Sequence, residues 1–565
     1  MNFLRKRFLT LASAALLAVT VAACDDDPVD VDPLVAPTGL TATSPTPTST
    51  LVTWSQVDGA TSYELDRATG AGALATIQAS LTATAFNDSG LTPSTTYRYV
   101  VRAVRGTEKS ASSAEVSVTT GAVGPKVATL TGVPTSRTLY ADTVYTLSGY
   151  VKVSNNATLT IQPGTRIVGD SAVAGSSLWI LRGSKIMAQG TAAAPIVFTS
   201  ARAVGNRSPG DWGGIIIIGR ALINRTGTQI FTEGPVGAAE NYAGGTDAAD
   251  NSGVLKYVRV EYAGYDVSNG SGQELNSISM YAVGSGTQLD YVQTVSGLDD
   301  SFEWWGGGAD VGHLFSFESG DDHFDWTEGF RGRGQFMVAL QTDVVVPRPG
   351  TGTTSSDPRG MEGDGCDPAI SGCVTSQMPF SMPTFANFTL VGPGTGVFST
   401  SDGNGMVLRR GTGGFFVNGI VARWPGTSIS VRDAQTNVLF TADSLYFRNL
   451  VVAGNGANFE AVGANFGSKL NDNKTAWSVT ELGLDATFQG TLPTKTTTVT
   501  AATVNITPVA GSAAATGGLT SFAGTPFAGR TASYLGGTLS GTSYRGAAPA
   551  DGTRWWDGWT SFERK

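Results

Sequence analysis

Asp299-Asp300-Ser301-Phe302-Glu303-Trp304 returns 22 residues later as Asp321-Asp322-His323-Phe324-Asp325-Trp326, so the pattern Asp-Asp-x-Phe-acid-Trp occurs twice. A period near 22 is about one coil of a parallel β-helix, where equivalent residues stack at strand spacing, roughly 4.8 Å apart. Further along the chain, Asn387-Phe388-Thr389-Leu390, Asn418-Gly419-Ile420-Val421 and Asn449-Leu450-Val451-Val452 begin at 31-residue intervals. Tyr257-Val258, Tyr291-Val292 and His313-Leu314 succeed one another after 34 and then 22 residues. A recurring strand signature with irregular coil length fits a solenoid whose strands are fixed and whose loops vary. A sandwich or barrel would carry hairpin signals such as Asn-Gly between adjacent alternating runs, and these are sparse. The fold class expected is all-β.

The repeat also sets an electrostatic problem. Phe302 over Phe324 and Trp304 over Trp326 read as aromatic ladders in the core. Strand alternation then places the neighbouring acids on the other face or in the adjoining turn. Two unscreened carboxylates roughly 4.8 Å apart repel by about 3.5 kcal/mol at an effective dielectric near 20. Stacking Asp299 on Asp321 and Asp300 on Asp322 therefore demands an offset. A calcium ion held by Asp299, Asp300, Glu303, Asp321, Asp322 and Asp325 would supply one. A proton kept on one acid of each pair would supply another. Arg331, Arg333 and backbone N–H groups could also neutralise them. Asp357 to Asp367, with Glu362 and Asp364, forms a second acidic, Gly-rich stretch. It reads as a solvated loop, with cation binding as the alternative.

Composition narrows the function classes. The 565 residues include 73 glycines and only 15% charged residues, suited to short strands and tight turns. A net charge of −9 argues against nucleic acid or anionic lipid headgroups as the main partner. His313 and His323 are the only histidines, so a zinc site with several His ligands is nearly excluded and a Ser-His-Asp triad would have to use one of them. In an exported chain Cys366 and Cys373 read as a local disulfide, worth roughly 2.5 kcal/mol by the chain-entropy estimate for so short a loop.

Residues 1–23 read as a signal peptide: Arg5, Lys6 and Arg7 precede the apolar stretch Leu9 to Val21. Val21-Ala22-Ala23-Cys24 resembles the bacterial lipobox, which implies cleavage before Cys24 and its lipidation. Asp25-Asp26-Asp27 resembles the acidic sorting residues of bacterial lipoproteins, and residues 24–35 read as a tether. From residue 36 to 121 short alternating runs appear, among them Leu51-Val52-Thr53-Trp54 and Tyr97-Arg98-Tyr99-Val100-Val101-Arg102. This stretch resembles a fibronectin type III domain, with Trp54 in the place of the core tryptophan and Leu91-Thr92-Pro93-Ser94-Thr95-Thr96-Tyr97 matching its tyrosine-corner segment. Its expected role is spacing or docking.

Residues 127–522 resemble the right-handed parallel β-helix, pectate-lyase-like, of certain bacterial surface lipoproteins. The resemblance rests on Ala157-Thr158-Leu159-Thr160-Ile161-Gln162-Pro163-Gly164-Thr165, on Gly190 through Ser200, on Asp211-Trp212-Gly213-Gly214-Ile215 and on the acidic repeat. Residues 523–565, with Trp555-Trp556-Asp557-Gly558-Trp559-Thr560, also resemble that group and are expected to cap the last coil. The resemblance implies a lipid-anchored protein of the cell envelope, at the outer membrane or cell surface. It would display the β-helix for binding or adhesion, with a glycan or another surface as ligand. The alternative is a polysaccharide lyase or glycoside hydrolase using Asp300, Asp321, Asp322 and Arg331. Gly320-Asp321-Asp322 resembles the paired aspartates of polygalacturonase-type hydrolases, but Asn-Thr-Asp, Gly-His-Gly and Arg-Ile-Lys are missing.

Overall fold

A computed structural model describes residues 32–122, 124, 126–268, 273–398, 403–461 and 478–565. The signal segment and Cys24 lie outside the described residues. The chain divides into two compact units at Gly124 and Pro125.

The first unit is a two-sheet β-sandwich. One sheet holds Thr41–Thr46, Ser49–Thr53 and Ala85–Ser89; the other is built on Ser62–Thr69 and Thr96–Arg105. Trp54 is buried between them, edge-on to Tyr63 at 5.5 Å, with Leu65, Tyr99 and Val101 fully enclosed. The backbone N–H of Thr92 donates to the Tyr97 hydroxyl at 2.9 Å, which closes the corner seen in the sequence.

The second unit is a parallel β-helix. A ten-stranded sheet contributes one strand per coil, among them Ile215–Ile218, Ile278–Tyr281, Phe302–Trp305, Phe324–Thr327, Met361–Asp364 and Met406–Arg409. A seventeen-stranded sheet forms the rest of the wall, and every pairing in both is parallel. Its long strands bend at Tyr257, Tyr291, His313, Phe336, Asn387, Asn418 and Asn449, each with φ between 47° and 62°. Six of the seven are the recurring Tyr, His and Asn positions of the sequence. The left-handed conformation is costly for residues with a Cβ, and stacking offsets it. Tyr257, Tyr291, His313 and Phe336 stack ring on ring at 4.5, 4.1 and 4.9 Å.

The inner rows are continuous: Ile215, Ile278, Phe302 and Phe324 pair in register, as do Ile217, Met280, Trp304 and Trp326. Phe302 and Phe324 stack at 5.6 Å. The two tryptophans share the register but turn to other rings, Trp304 onto Phe330 at 5.2 Å and Trp326 edge-on to Phe385 at 5.4 Å.

Among the described residues the C-terminal tail bonds to the last strand, Val479–Leu482, where Arg545 donates to Thr480 Oγ1 at 2.7 Å, and extends well past the last coil it was expected to cap. It runs back along the outer flank of the seventeen-stranded sheet. Arg545 donates to the Leu450 carbonyl at 3.4 Å, Asn387 to Gly546 at 3.1 Å, and Gln293 to Ser561 at 2.6 Å. The physical reason is apolar: Val295, Phe315, Phe317 and Val338 face outward there, and Trp556 and Phe562 bury them.

Candidate functional site

The alternation of strand residues puts the acids of the repeat on the outer face of the ten-stranded sheet. Ser279, Glu303, Asp325 and Glu362 occupy one outward row, paired in register from coil to coil. In the turn that precedes each strand, Asp299-Asp300 lies beside Asp321-Asp322. The N–H of Asp322 donates to Asp300 Oδ1 at 2.8 Å, and the N–H of Asp300 to Asn276 Oδ1 at 3.1 Å. Asn276 Nδ2 donates to Glu303 Oε2 at 2.6 Å.

Seven carboxylates form three overlapping triads: Asp299 with Asp300 and Asp321, Asp300 with Glu303 and Asp325, and Asp322 with Asp325 and Glu362. Within each, one oxygen per residue lies within 4.8 Å of the others. Asp300 and Asp325 are shared, so the triads run as a chain along the solenoid. Asp300, Glu303, Asp322 and Glu362 are buried, while Asp299, Asp321 and Asp325 keep partial exposure. Asp321 Oδ1, Asp325 Oδ1 and Glu362 Oε1 are screened from solvent yet accept no hydrogen bond. Glu362 Oε1 is 2.7 Å from Arg359 Nη1, an ion pair outside hydrogen-bond alignment.

Burial raises the proton affinity of these acids, and mutual repulsion raises it further. Asp299, Asp300, Glu303 and Asp325 are pushed well above the ordinary carboxylate range by desolvation and by neighbouring acids. Desolvation pushes Asp321 and Asp322 up to about 7, with Arg359 holding them down from higher values. Burial and Asp322 push Glu362 up to about 8.

The counter-ions are not those expected from the sequence. Arg333 forms a fork on Asp310 at 2.8 and 2.5 Å. Arg331 comes after the strand Phe324–Thr327, whereas the paired aspartates precede it. Four strand residues rise roughly 13 Å, which separates Arg331 from the acids it was expected to neutralise or to assist in catalysis. Arg359 takes that place instead, reaching Asp322 at 3.2 Å and Asp357 at 2.7 Å. Glu362 and Asp364 are not in a solvated loop either: they lie on the buried strand Met361–Asp364, the next rung of the sheet. Arg409 pairs with Glu362 at 2.6 Å and with Asp364 at 3.0 Å. Among the described residues no Lys, Arg or His is paired with Asp299, Asp300, Glu303, Asp321 or Asp325.

The donor set fits a hard cation. It consists of carboxylate oxygens, of which Asp321 Oδ1 and Asp325 Oδ1 are buried without a hydrogen-bond partner. Two oxygens on one calcium at roughly 2.4 Å can be no more than roughly 4.8 Å apart, the spacing each triad provides. Neither histidine completes a hydrolytic triad. His323 is fully buried, held down to about 3 by desolvation, and joined to Ser316 Oγ at 2.6 Å with Nε2 unpartnered. His313 belongs to the ring stack and bonds to Asp290 at 2.8 Å. Cys366 and Cys373 are joined by a disulfide, their Cα atoms 5.1 Å apart, just past the third acidic rung.

Comparison with known proteins agrees with this architecture. Residues 35–119 match the fibronectin type III domain model. An 86-residue stretch is 45% identical to a poly(3-hydroxybutyrate) depolymerase of Ralstonia pickettii, covering 15% of this chain and 16% of that enzyme's length. An Fn3-like protein from Clostridium thermocellum matches 15% of this chain and 90% of its own at 34% identity, TM-score 0.14. The FN1-FN3 domains of chicken CNTN1 match 16% of this chain and 33% of their own at 19% identity, TM-score 0.15. The model of the pectate-lyase-like β-helix domain matches residues 132–504, more than half of the chain, and the chain therefore belongs to that family, with a fibronectin type III domain ahead of the helix.

Proposed function

We propose that this chain is a lipid-anchored protein of the cell envelope, at the outer membrane or cell surface, whose β-helix binds a glycan or another surface through its acidic face. Cys24 would carry the lipid. Calcium would sit in the carboxylate triads and offer its open coordination positions to hydroxyl or carboxylate oxygens of the ligand. The observation that carries this reading is the chain of three triads in which one buried oxygen each of Asp321 and Asp325, Oδ1, has no hydrogen-bond donor. Structural charge ladders ordinarily supply such partners, since an unpaired buried carboxylate is expensive.

The test takes the chain from residue 25 onward, stripped of metal, and measures calcium binding by calorimetry and glycan binding on a panel of acidic and neutral polysaccharides, with and without calcium. Calcium-dependent binding without turnover is expected. Release of reducing or unsaturated ends that disappears in Asp321→Ala would replace the binding role with a degradative one. Absence of calcium binding would overturn the role given to the triads.

A further inference from the structure

Where the strands Phe302–Trp305 and Phe324–Thr327 run into their next turns, a cavity of about 370 Å³ opens. Among the described residues every charged side chain in its wall is an arginine: Arg331, Arg333 and Arg530. Ala221, Leu222 and Pro379 supply apolar wall, with Leu222 half-exposed at the rim. The sign and number of the uncompensated charges there decide what the cavity can take.

Asp310 neutralises one of the three. It takes the fork of Arg333 at 2.8 and 2.5 Å, while Arg333 Nη1 donates to the carbonyl of Ala532 at 2.6 Å. Arg530 is held by neutral acceptors, the carbonyls of Met382 and Arg331. Burial, then Arg331 and Arg333, hold it down to about 10, which leaves it charged at neutral pH, and the acid that acts on it is again Asp310. Arg331 is exposed, and among the described residues its guanidinium has no hydrogen-bond or ion-pair partner. Two positive charges, those of Arg331 and Arg530, therefore share the wall without a carboxylate of their own. Forked guanidinium donors select an oxyanion group. The charge count selects further. A carboxylate or a sulfate ester carries one negative charge, whereas a phosphate monoester carries about −1.5 to −2 at neutral pH on three acceptor oxygens.

We propose that this cavity binds a phosphate monoester, with the phosphoryl oxygens on Arg331 and Arg530 and the carbon substituent against Ala221, Leu222 and Pro379. The volume lies within the range of small-ligand sites, roughly 300–1,000 Å³, and leaves room for that substituent beside the phosphoryl group. This goes beyond the cation-binding role of the triads and does not rest on it, because no residue of the triads lines the cavity.

The experiment uses the metal-stripped chain from residue 25 onward in metal-free buffer at pH 8, so the acidic triads cannot hold a bridging cation. Calorimetry compares phenyl phosphate, phenyl sulfate and inorganic phosphate. The two phenyl esters share size and shape and differ by one charge. Phenyl phosphate should bind roughly tenfold or more tightly than phenyl sulfate, as for an added charge-assisted contact. It should also bind more tightly than inorganic phosphate, which has nothing to set against the apolar wall. Arg331→Ala should weaken the binding of phenyl phosphate roughly 10- to 100-fold, and Arg331→Glu should abolish it. Both variants should keep the wild-type melting temperature, because the Arg331 guanidinium has no protein partner to lose. Four results overturn the proposal: phenyl phosphate does not bind; phenyl sulfate binds as tightly; inorganic phosphate binds as tightly, which would make free phosphate the ligand; or Arg331→Glu binds like wild type.

Discussion

Asp325→Asn should change sign with calcium. Asp325 belongs to two of the three triads, facing Asp300 and Glu303 in one and Asp322 and Glu362 in the other, all within 4.8 Å. One fully ionised pair at that distance costs about 3.5 kcal/mol at an effective dielectric near 20. The protein escapes part of that cost by keeping protons on the acids, so removing one charge in metal-free buffer at pH 8 should stabilise the β-helix by about 2 kcal/mol. In calcium the balance inverts. A site filled at a hundred times its dissociation constant contributes about 2.7 kcal/mol, and the variant damages two such sites. It should lose up to about 5 kcal/mol of calcium-dependent stabilisation. The assay is urea denaturation monitored by the fluorescence of the buried Trp304 and Trp326, with and without calcium. If Asp325→Asn destabilises the metal-free protein as much as the calcium-loaded one, the acids are ordinary structural partners and the reasoning fails.

The remaining predictions concern the supports of that face and of the flank. Arg359→Met leaves Asp322, Asp357 and Glu362 without their shared cation and should cost about 3–5 kcal/mol in metal-free urea denaturation; a loss under about 1 kcal/mol would deny Arg359 that role. Glu318 is buried under Thr342 Oγ1 at 2.5 Å and Arg564 at 3.3 Å, and desolvation pushes it from 4.5 up to about 7. A raised carboxyl contributes stability in full below about pH 4.5 and loses it as pH rises through 7, about 3 kcal/mol in all. Glu318→Gln should therefore flatten the fall in melting temperature between pH 5 and 8, and an unchanged slope would count against it. Trp556→Ala empties the fully buried anchor of the C-terminal strap; about 3–5 kcal/mol should be lost and limited proteolysis should release the tail first.

The solenoid and its acidic repeat were legible because parallel register converts sequence period directly into spatial stacking. The 22-residue echo puts Phe302 against Phe324 and Glu303 against Asp325, and the recurring Tyr, His and Asn positions are the bends of the long strands. The third acidic rung was not legible, and a single steric fact explains why. The Trp326 ring lies where a side chain at position 363 would project, with a ring carbon 2.2 Å from an ideal Cβ. The next coil therefore carries Met361-Glu362-Gly363-Asp364 in place of the Phe-acid-Trp signature, and its acids read as loop residues. Arg359 escaped for a related reason: it arrives from a coil 37 residues beyond Asp322, outside the local period. The run of the tail along the flank depends on which strand residues point outward, and no spacing within the tail itself carries that information.

Charge compensation along the acidic row is graded rather than uniform. At the rung Met361–Asp364, Glu362 and Asp364 meet Arg359, Arg409 and Arg410, and Val407 ends the row on the next strand. One and two coils earlier, Asp325 and Glu303 have no paired cation among the described residues; Asp300 receives the N–H of Asp322, and Glu303 the side-chain amide of Asn276. A purely structural ladder has no reason to concentrate its cations at one end, because every rung repeats the same repulsion. Deleting the repulsion by mutation would have been simple, since Ser279 already occupies the row one coil before. Among the described residues the acids of this face without a paired cation lie mainly in the two hexapeptides, where Asp322 alone meets Arg359, and the desolvated Glu233 beside Glu303 joins them. That clustering is what a bound cation spanning those coils would require, and it supports placing the ligand there rather than along the whole acidic face.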